Sequence, residues 1–523
     1  MKKKLLAGIA VLLLAFLYYY IELPAINIHE SGFWFFLVAV IGIIVVVYAI
    51  RKRLYGTIQL KQSKGIKAGV ILMLVIIAVY AVGSLLSSPI INAKKYQNLV
   101  TPEERDLTED IQEISFNQIP LLDKDSAVLL GNRKMGSMVD MVSQFEVSDL
   151  YSQINYQGQP YRVTPLVYAN AIKWLTNQKD GIPAYIRIDM ATQNTELVKL
   201  EDGIKYSESE LLNRNIYRHL RFRYPTYMFD QLSFEINDDG VPYWICPVKK
   251  FNIGLFGGQT IGKVVLCNAI TGETEEYKIK DCPQWVDRAY PADLLIDLYN
   301  YHGTLKNGFF NSVLGQKGCL KTTDGYNYLA LEDDVWVYTG ITSVSGDRSN
   351  VGFVLMNQRT METRYYSCAG AEEYSAMESA EGQVQNLKYT AAFPLLLNIS
   401  NEPTYFMALK DGAGLVKKYA MVNIQKYQNV AIGDTVSECE KAYVKLLASN
   451  GITSTDEKST GTNEISGKIK RIGQAVIDGN SHFYLALEEN DEVYDVPVVD
   501  YPEIVTYDVG DEITLEYSED SPA

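Results

Sequence analysis

Apolar and polar positions divide the chain into a continuous apolar head and a patterned remainder. Residues 5–21 (LLAGIAVLLLAFLYYYI), 33–50 (FWFFLVAVIGIIVVVYAI) and 68–88 (AGVILMLVIIAVYAVGSLLSS) contain no charge. Each run has the length a helix needs to cross a hydrocarbon core. Tyr18–Tyr20 and Phe33–Phe36 put aromatic rings at run ends, as membrane interfaces favour. The first run follows Lys2–Lys4, as a signal peptide would, but tyrosines stand where a small-residue cleavage site belongs. Retention is therefore expected.

Residues 101–150 turn polar with helical spacing. Thr101 as N-cap, Pro102 at the first helical position and Glu103–Glu104 in the first turn predict one helix. Met135, Met138, Met141, Val142 and Phe145 predict a second over 131–145. From about 160, short strand-like runs alternate with turns, and a repeat emerges. A strand leads to Asp or Asn, then Thr three and six positions on, then another strand. The sets are Asp189, Thr192, Thr195; Asn268, Thr271, Thr274; and Asn357, Thr360, Thr363. A degenerate fourth keeps only Asn423. An earlier strand recurs as GIPAYIRI (181), GVPYWICPV (240), GYNYLALE (325) and NEPTYFMAL (401). Helical segments are expected at 208–222, 291–303 (Pro291 to Gly303), 372–387 and 434–451 (Asp434 cap, Gly451 stop). The repeating unit reads as β-β-β-α. Asn and Asp bond the backbone two residues on, and Thr favours strands, so the motif reads as a structural hairpin turn.

Within NAITGETEEY, Asn268, Thr271, Gly272 and Glu273 match the D/N-A-x-T-G-E hairpin of PepSY-type domains. Unit two resembles that family strongly, and the other units share its Asn/Asp and Thr. The resemblance covers about 160–450. It implies small non-catalytic extracytoplasmic modules, linked in some proteins to protease inhibition or envelope regulation. The whole chain is also similar to membrane proteins of Gram-positive, Clostridia-type bacteria, some of the colicin V production type.

Charge sharpens this layout. The net charge is −15, from 48 Lys+Arg against 63 Asp+Glu. Residues 1–97 carry eleven basic and two acidic groups, +9; −15 less +9 leaves −24 for the rest. An acidic body disfavours nucleic acid as a partner. Lys2, Lys3 and Lys4 precede the first run, and Arg51, Lys52, Arg53, Lys61, Lys64 and Lys67 fill the loop between the second and third. The loop at 22–32 has no basic residue. The positive-inside rule then puts the N-terminus and the 51–67 loop in the cytoplasm, and residues from about 92 outside. No ionisable group lies inside a span, which argues for an anchor rather than a transport path.

Reactive constellations are scarce. His29, His219, His302 and His482 are far apart, and no H-E-x-x-H or paired C-x-x-C occurs. No G-x-S-x-G elbow or dinucleotide fingerprint is present. The glycines of NIGLFGGQTIG (252–262) read as a loop or hairpin between two strands. Of six cysteines, Cys246, Cys267 and Cys282 share unit two. An oxidising exterior would allow a disulfide there, but Cys246 and Cys267 lie in apolar strands where cysteine packs as a small hydrophobe. Among 63 acids, no carboxylate pair can be singled out for hydrolysis.

The predicted architecture is α+β: N-terminal transmembrane helices, tandem PepSY-like β-β-β-α units and a C-terminal small β-barrel of the SH3 or OB kind. Its parts are an anchor (1–92), a helical stalk (93–160), units at 161–235, 236–310, 311–392 and 393–453, and a barrel (464–520). Ser454–Asn463 reads as a linker, and Asp478–Gly479 as a hairpin signal. The expected role is a non-enzymatic, membrane-anchored binding, regulatory or scaffold protein of the bacterial envelope. It needs no cofactor or metal; it meets a protein or cell-wall partner outside the cell, or copies of itself. The alternatives are a subunit of an export assembly and a carboxylate-based hydrolase.

Overall fold

The computed structural model describes residues 2–54, 63–111, 120, 122–344, 349–452, 463–477, 480–488, 492–498 and 501–517. The protein is α+β. It divides into a first unit, Met1–Ser449, and a second, Asn450–Ala523. Lys61, most of the Ser454–Asn463 linker and Asp478–Gly479 lie outside the described residues.

The first unit begins with α1 (Lys2–Glu22), α2 (Ser31–Leu54) and α3 (Lys64–Ser87), then the short α4 (Pro89–Gln97). Among the described residues two helices, Ser31–Arg53 and Lys64–Ser87, are long and apolar enough to cross a membrane. The apolar part of α1, Ala7–Glu22, is shorter. Glycine lets α3 approach α2: a Cβ on Gly69 would lie 2.3 Å from Val45 Cγ2. Tyr18 stacks on Phe36 at 5.7 Å, so the C-terminal end of α1 meets the N-terminal end of α2.

The helix expected from Thr101 does not form. Glu103–Arg105 is instead a strand, β1, running parallel to Arg364–Tyr366; α5 (Leu107–Asp110) follows. Strand pairing overrides the local capping pattern here: Arg105 is held by Glu103 and Asp110, and Tyr366 donates to Asp110. The second expected helix is displaced toward the N-terminus. It is α6 (Lys124–Gly136), capped by Asp123, which accepts from Ser126 N at 2.9 Å. Met138 lies beyond the helix, Met141 lies in a turn, and Phe145 starts a strand.

Four sheets follow, built alike. The first contains β2 (Phe145–Val147), β3 (Ser152–Tyr156), β4 (Gln159–Tyr168), β5 (Ile182–Asp189) and β6 (Thr195–Ile204), with α7 (Ala171–Asn177) between β4 and β5 and α8 (Ile216–Arg223) after. The second contains β7 (Ser233–Ile236), β8 (Pro242–Ile253), β9 (Gly257–Asn268) and β10 (Thr274–Lys278), followed by α9 (Ala292–Thr304). The third contains β11 (Leu320–Thr322), β12 (Asn327–Leu331), β13 (Asp334–Ser343), β14 (Ser349–Asn357) and β15 (Thr363–Ala371), then α10 (Glu373–Gln383). The fourth contains β16 (Thr390–Ala391), β17 (Leu395–Ile399), β18 (Glu402–Lys410), β19 (Val416–Asn423) and β20 (Val430–Gly433), then α11 (Val436–Ser449).

Each sheet thus contains an antiparallel meander of four strand positions, one more than the predicted three, and in the third β1 adds a parallel strand beside β15. The first position is split in two along the second: β2 and β3 on β4, β11 and β12 on β13, β16 and β17 on β18. In the second sheet β7 and an isolated Phe229–Val248 bridge do the same along β8. The recurring aromatic strand sits at the second position in sheets two and four, but at the third in sheet one and the first in sheet three. Its leading residues nevertheless share a left-handed backbone: Gly181, Gly240, Gly325 and Asn401 all have positive φ. The first sheet already starts at Phe145, within the segment 93–160 that reads as a stalk.

Sheet two is buried on both faces. Trp244, Cys246, Val265 and Cys267 join the core of sheet one, whereas Ile245, Val264 and Leu266 pack with α9 and sheet three. Strand alternation makes this possible, since neighbours point to opposite faces. Gly303 lies inside α9 rather than ending it, where a Cβ would meet Leu320 O at 2.4 Å. At α11, Thr435 rather than Asp434 accepts from Glu438 N, and the Glu438 carboxylate accepts from Thr435 N and Asp434 N. This is a reciprocal capping box.

The second unit is a half-barrel of β21 (Asn463–Ile477), β22 (Asn480–Leu487), β23 (Val493–Pro497) and β24 (Glu512–Tyr517). One long strand serves both sides: β21 pairs with β24 over Asn463–Lys468 and with β22 from Ile469 on. Ile469, Leu485, Leu487 and Ile504 fill its core.

Candidate functional site: a polar cavity where the sheets converge

The repeated turns are built from one plan. Asp189 Oδ1 accepts from Ala191 N and Thr192 N; Asn268 Oδ1 accepts from Ile270 N and Thr271 N; Asn357 Oδ1 accepts from Arg359 N and Thr360 N. The first Thr of each set, Thr192, Thr271 or Thr360, accepts from the amide two positions on. Thr195 and Thr363 donate to the carbonyls of Gln193 and Met361, and Thr274 bonds the Tyr224 hydroxyl. The fourth residue after each Asx has positive φ: Gln193, Gly272 and Met361. Asn423 accepts from Lys426 N in a turn one residue longer. Gly272 is further enclosed, because a Cβ would lie 2.3 Å from the Tyr206 ring, and His219 donates to its carbonyl at 2.8 Å. Glu273 is exposed, and its amide closes the turn on Thr271. The turn-closing bonds are to the motif's own backbone; beyond them Asn357 Nδ2 donates to Asp334, Asn423 Nδ2 donates to Glu402, and Thr274 bonds Tyr224.

The basic residues gather at one end of the helices. Lys2–Lys4 open α1, Arg51–Arg53 end α2, and Lys64 and Lys67 begin α3. The opposite ends meet the sheets. Ser87, at the end of α3, accepts from Leu255 N (2.9 Å) and Phe256 N (3.2 Å) at the tip of the β8–β9 hairpin. That tip is the glycine-rich NIGLFGG segment. Phe256 packs on Tyr80 at 4.9 Å and Trp34 at 6.2 Å. His29 donates to Leu255 O at 2.7 Å. From α8, Arg221 donates to Leu23 O at 2.7 Å, and Arg218 lies 4.2 Å from the centre of the Tyr20 ring.

A cavity lies between sheets one, two and three and the segments flanking them, and Gln358 of the third motif turn lines it. Its volume is about 320 Å³. Its walls include Asp123, Gln153, Arg162, Gln231, Ser233, Arg288, Asp293, Tyr326, Tyr328 and Phe393. β4 places Arg162 there, 4% exposed. Arg162 Nε donates to Leu122 O at 3.3 Å and Nη2 to Gln153 Oε1 at 3.4 Å. No carboxylate among the described residues pairs with it. Burial draws its pKa below the usual arginine range. Gln153 Nε2 and Arg288 Nε are buried without a partner. Arg288 Nη2 donates to Gln231 Oε1 at 2.9 Å. Asp123 is neutralised by Lys410, and although burial opposes ionisation, Lys410 and Ser126 hold its carboxyl below the ordinary value.

Directly behind this wall lie two acids. Glu235 (0% exposed) accepts from Ser233 Oγ at 3.1 Å, Asp287 N at 2.9 Å and Arg288 N at 3.1 Å. Asp287 (1% exposed) accepts from Asn155 N at 2.7 Å, while its Oδ1 has no partner. Burial raises Glu235 to about 7. Burial and then the Glu235 charge raise Asp287 well above the carboxylate range.

Among the described residues no group of three or more His, Cys, Asp and Glu assembles as a metal site. All six cysteines are buried and unpaired. His29 and His219 bond the carbonyls described above; His302 bonds Gln97 O, and His482 bonds Asp495. No protein family matches the chain, and no curated protein sequence does.

The cavity residues were missed from sequence because they follow no spacing rule. The only trace is a lone charge in an otherwise strand-like run: Arg162 in QPYRVTPLVY and Glu235 in SFEI. A buried charge in a strand needs a partner or a role.

Proposed function

We propose that this chain is a membrane-anchored binding or regulatory protein of the bacterial envelope, without catalytic activity. In this reading α1, α2 and α3 all cross the membrane. The N-terminus and the basic loop are cytoplasmic, and residues from about 92 are extracytoplasmic. The sheets are PepSY-like modules used in tandem, and the half-barrel is a small SH3- or OB-like cap.

One observation carries the reading. The hairpin tip Leu255–Phe256 is joined to Ser87, at the end of the helix pair remote from Arg51–Arg53, Lys64 and Lys67. With the basic end held inside by the positive-inside rule, the acidic sheets lie outside. The exposed apolar surface of α2 and α3 supports lipid contact: Phe35 and Ile71 are each 60% exposed. The test is a reporter fused after Ala523 that is active only outside the cell. Activity confined to the cytoplasm overturns the reading. Crosslinking in intact cells followed by mass spectrometry then names the partner.

A further inference from the structure

We propose that the cavity beside Arg162 is a binding site for a small organic carboxylate. The inference rests on the reading of this chain as a binding protein and names the ligand class of its cavity.

A guanidinium removed from water is costly unless an acceptor compensates it. Arg162 is 4% exposed, yet its two bonds go to a neutral carbonyl and a neutral carboxamide, both long. Its Nη1 makes no hydrogen bond to the described residues. The nearest acid on the cavity wall, Asp123, is already taken by Lys410. Gln153 Nε2, on the same wall, is a second buried donor without an acceptor. Arg288 stands across the cavity and supplies a second cation. At Arg162 and Gln153 the wall therefore leaves donors without acceptors, which is the complement of an anion.

The kind of anion follows from the rest of the wall. Arginine binds carboxylate and phosphate through its planar fork. Asp149 and Asp293 also line the cavity and disfavour a dianion. A singly charged carboxylate fits, and a phosphate dianion does not. Tyr326 and Tyr328 meet edge to face at 5.6 Å beside Phe393, offering an apolar surface for the ligand's remainder. A volume of about 320 Å³ lies at the small end of ligand pockets, so the ligand is small.

The test is calorimetric titration of the purified full chain in detergent. The probes are benzoate, its neutral counterpart benzamide, and inorganic phosphate. Benzoate is expected to bind with a Kd of about 1 mM or tighter, and benzamide about tenfold more weakly or less. R162K should weaken benzoate about tenfold, and R162Q should abolish its binding. R288Q, at a half-buried position, gives an independent check should the Arg162 variants not fold. It too should weaken benzoate but not benzamide. Equal binding of benzoate and benzamide overturns the proposal. So does phosphate binding tighter than benzoate, an unchanged benzoate affinity in R288Q, or no binding of any probe at about 10 mM. These outcomes do not depend on membrane orientation, which the Ala523 reporter reads separately.

Discussion

Replacing Asp287 by Asn should make the protein more stable at pH 8 and leave it nearly unchanged at pH 3. Glu235 and Asp287 are buried side by side at a junction of three sheets, with Asn155 of β3 on one side and Arg288 on the other. Burial raises Glu235 from 4.5 to about 7, so in the folded protein it holds a proton that the unfolded chain releases near 4.5. Below about pH 3 both acids are protonated in the folded and the unfolded chain, and no penalty arises. As pH rises toward 7 the unfolded state binds fewer protons, and stability falls, levelling off above pH 7. The shift corresponds to about 3 kcal/mol. Asp287, raised by burial and by Glu235, acts in the same direction. Asn keeps an acceptor for Asn155 N and removes one acid, so it should recover about 1–3 kcal/mol at pH 8. Denaturant unfolding of the full chain in detergent, followed by tryptophan fluorescence, measures this, with Trp285 two residues away. Asp123 and Glu276, whose values are lowered, tilt the wild-type curve the other way. The difference between variant and wild type is therefore the quantity to read. A difference that stays constant from pH 3 to 8, or that favours the wild type at pH 8, refutes the reasoning.

Other substitutions probe the turns, the anchor junction and the core. Asn268→Ala removes two backbone acceptor bonds and should cost about 1–2 kcal/mol in denaturant unfolding. Gly257→Ala would put a Cβ 2.2 Å from Ser87 O and 2.4 Å from the Tyr96 hydroxyl, which should lower stability by about 2 kcal/mol or more in thermal unfolding. Arg364, 3% exposed, forks Glu332, bonds Glu362 and lies 4.4 Å over Trp336; Arg364→Met should cost about 3 kcal/mol or more by the same assay. A thiol reductant should leave the melting temperature unchanged, since all six cysteines are free and buried.

Features written in neighbouring residues were readable in advance. The apolar runs became α1, α2 and α3, because length and composition suffice for a helix with no polar side chain to place. Asp189, Asn268 and Asn357 closed their turns as expected, because an Asx side chain bonds amides only two or three positions away. The capping pattern at Thr101 failed where a longer-range bond competed. Glu103–Arg105 gained a strand partner in Arg364–Tyr366, some 260 positions on, which no local rule anticipates. The fourth strand of each sheet was missed because the split first position offers runs as short as two residues.

The division between sequence and structure follows the reach of the forces involved. Charge placement, apolar length and turn chemistry act over a few residues, so the sequence alone determined the apolar head, its basic flanks and the hairpin repeat. Burial of a polar group is different, because it depends on which surfaces meet. Arg162 lost water because Leu122 and Gln153 close over it, while Glu235 and Asp287 were brought together across 52 positions by packing of the sheets. Only the tertiary structure could make a cavity from these residues, since desolvation is a property of the assembled neighbourhood and of no single segment.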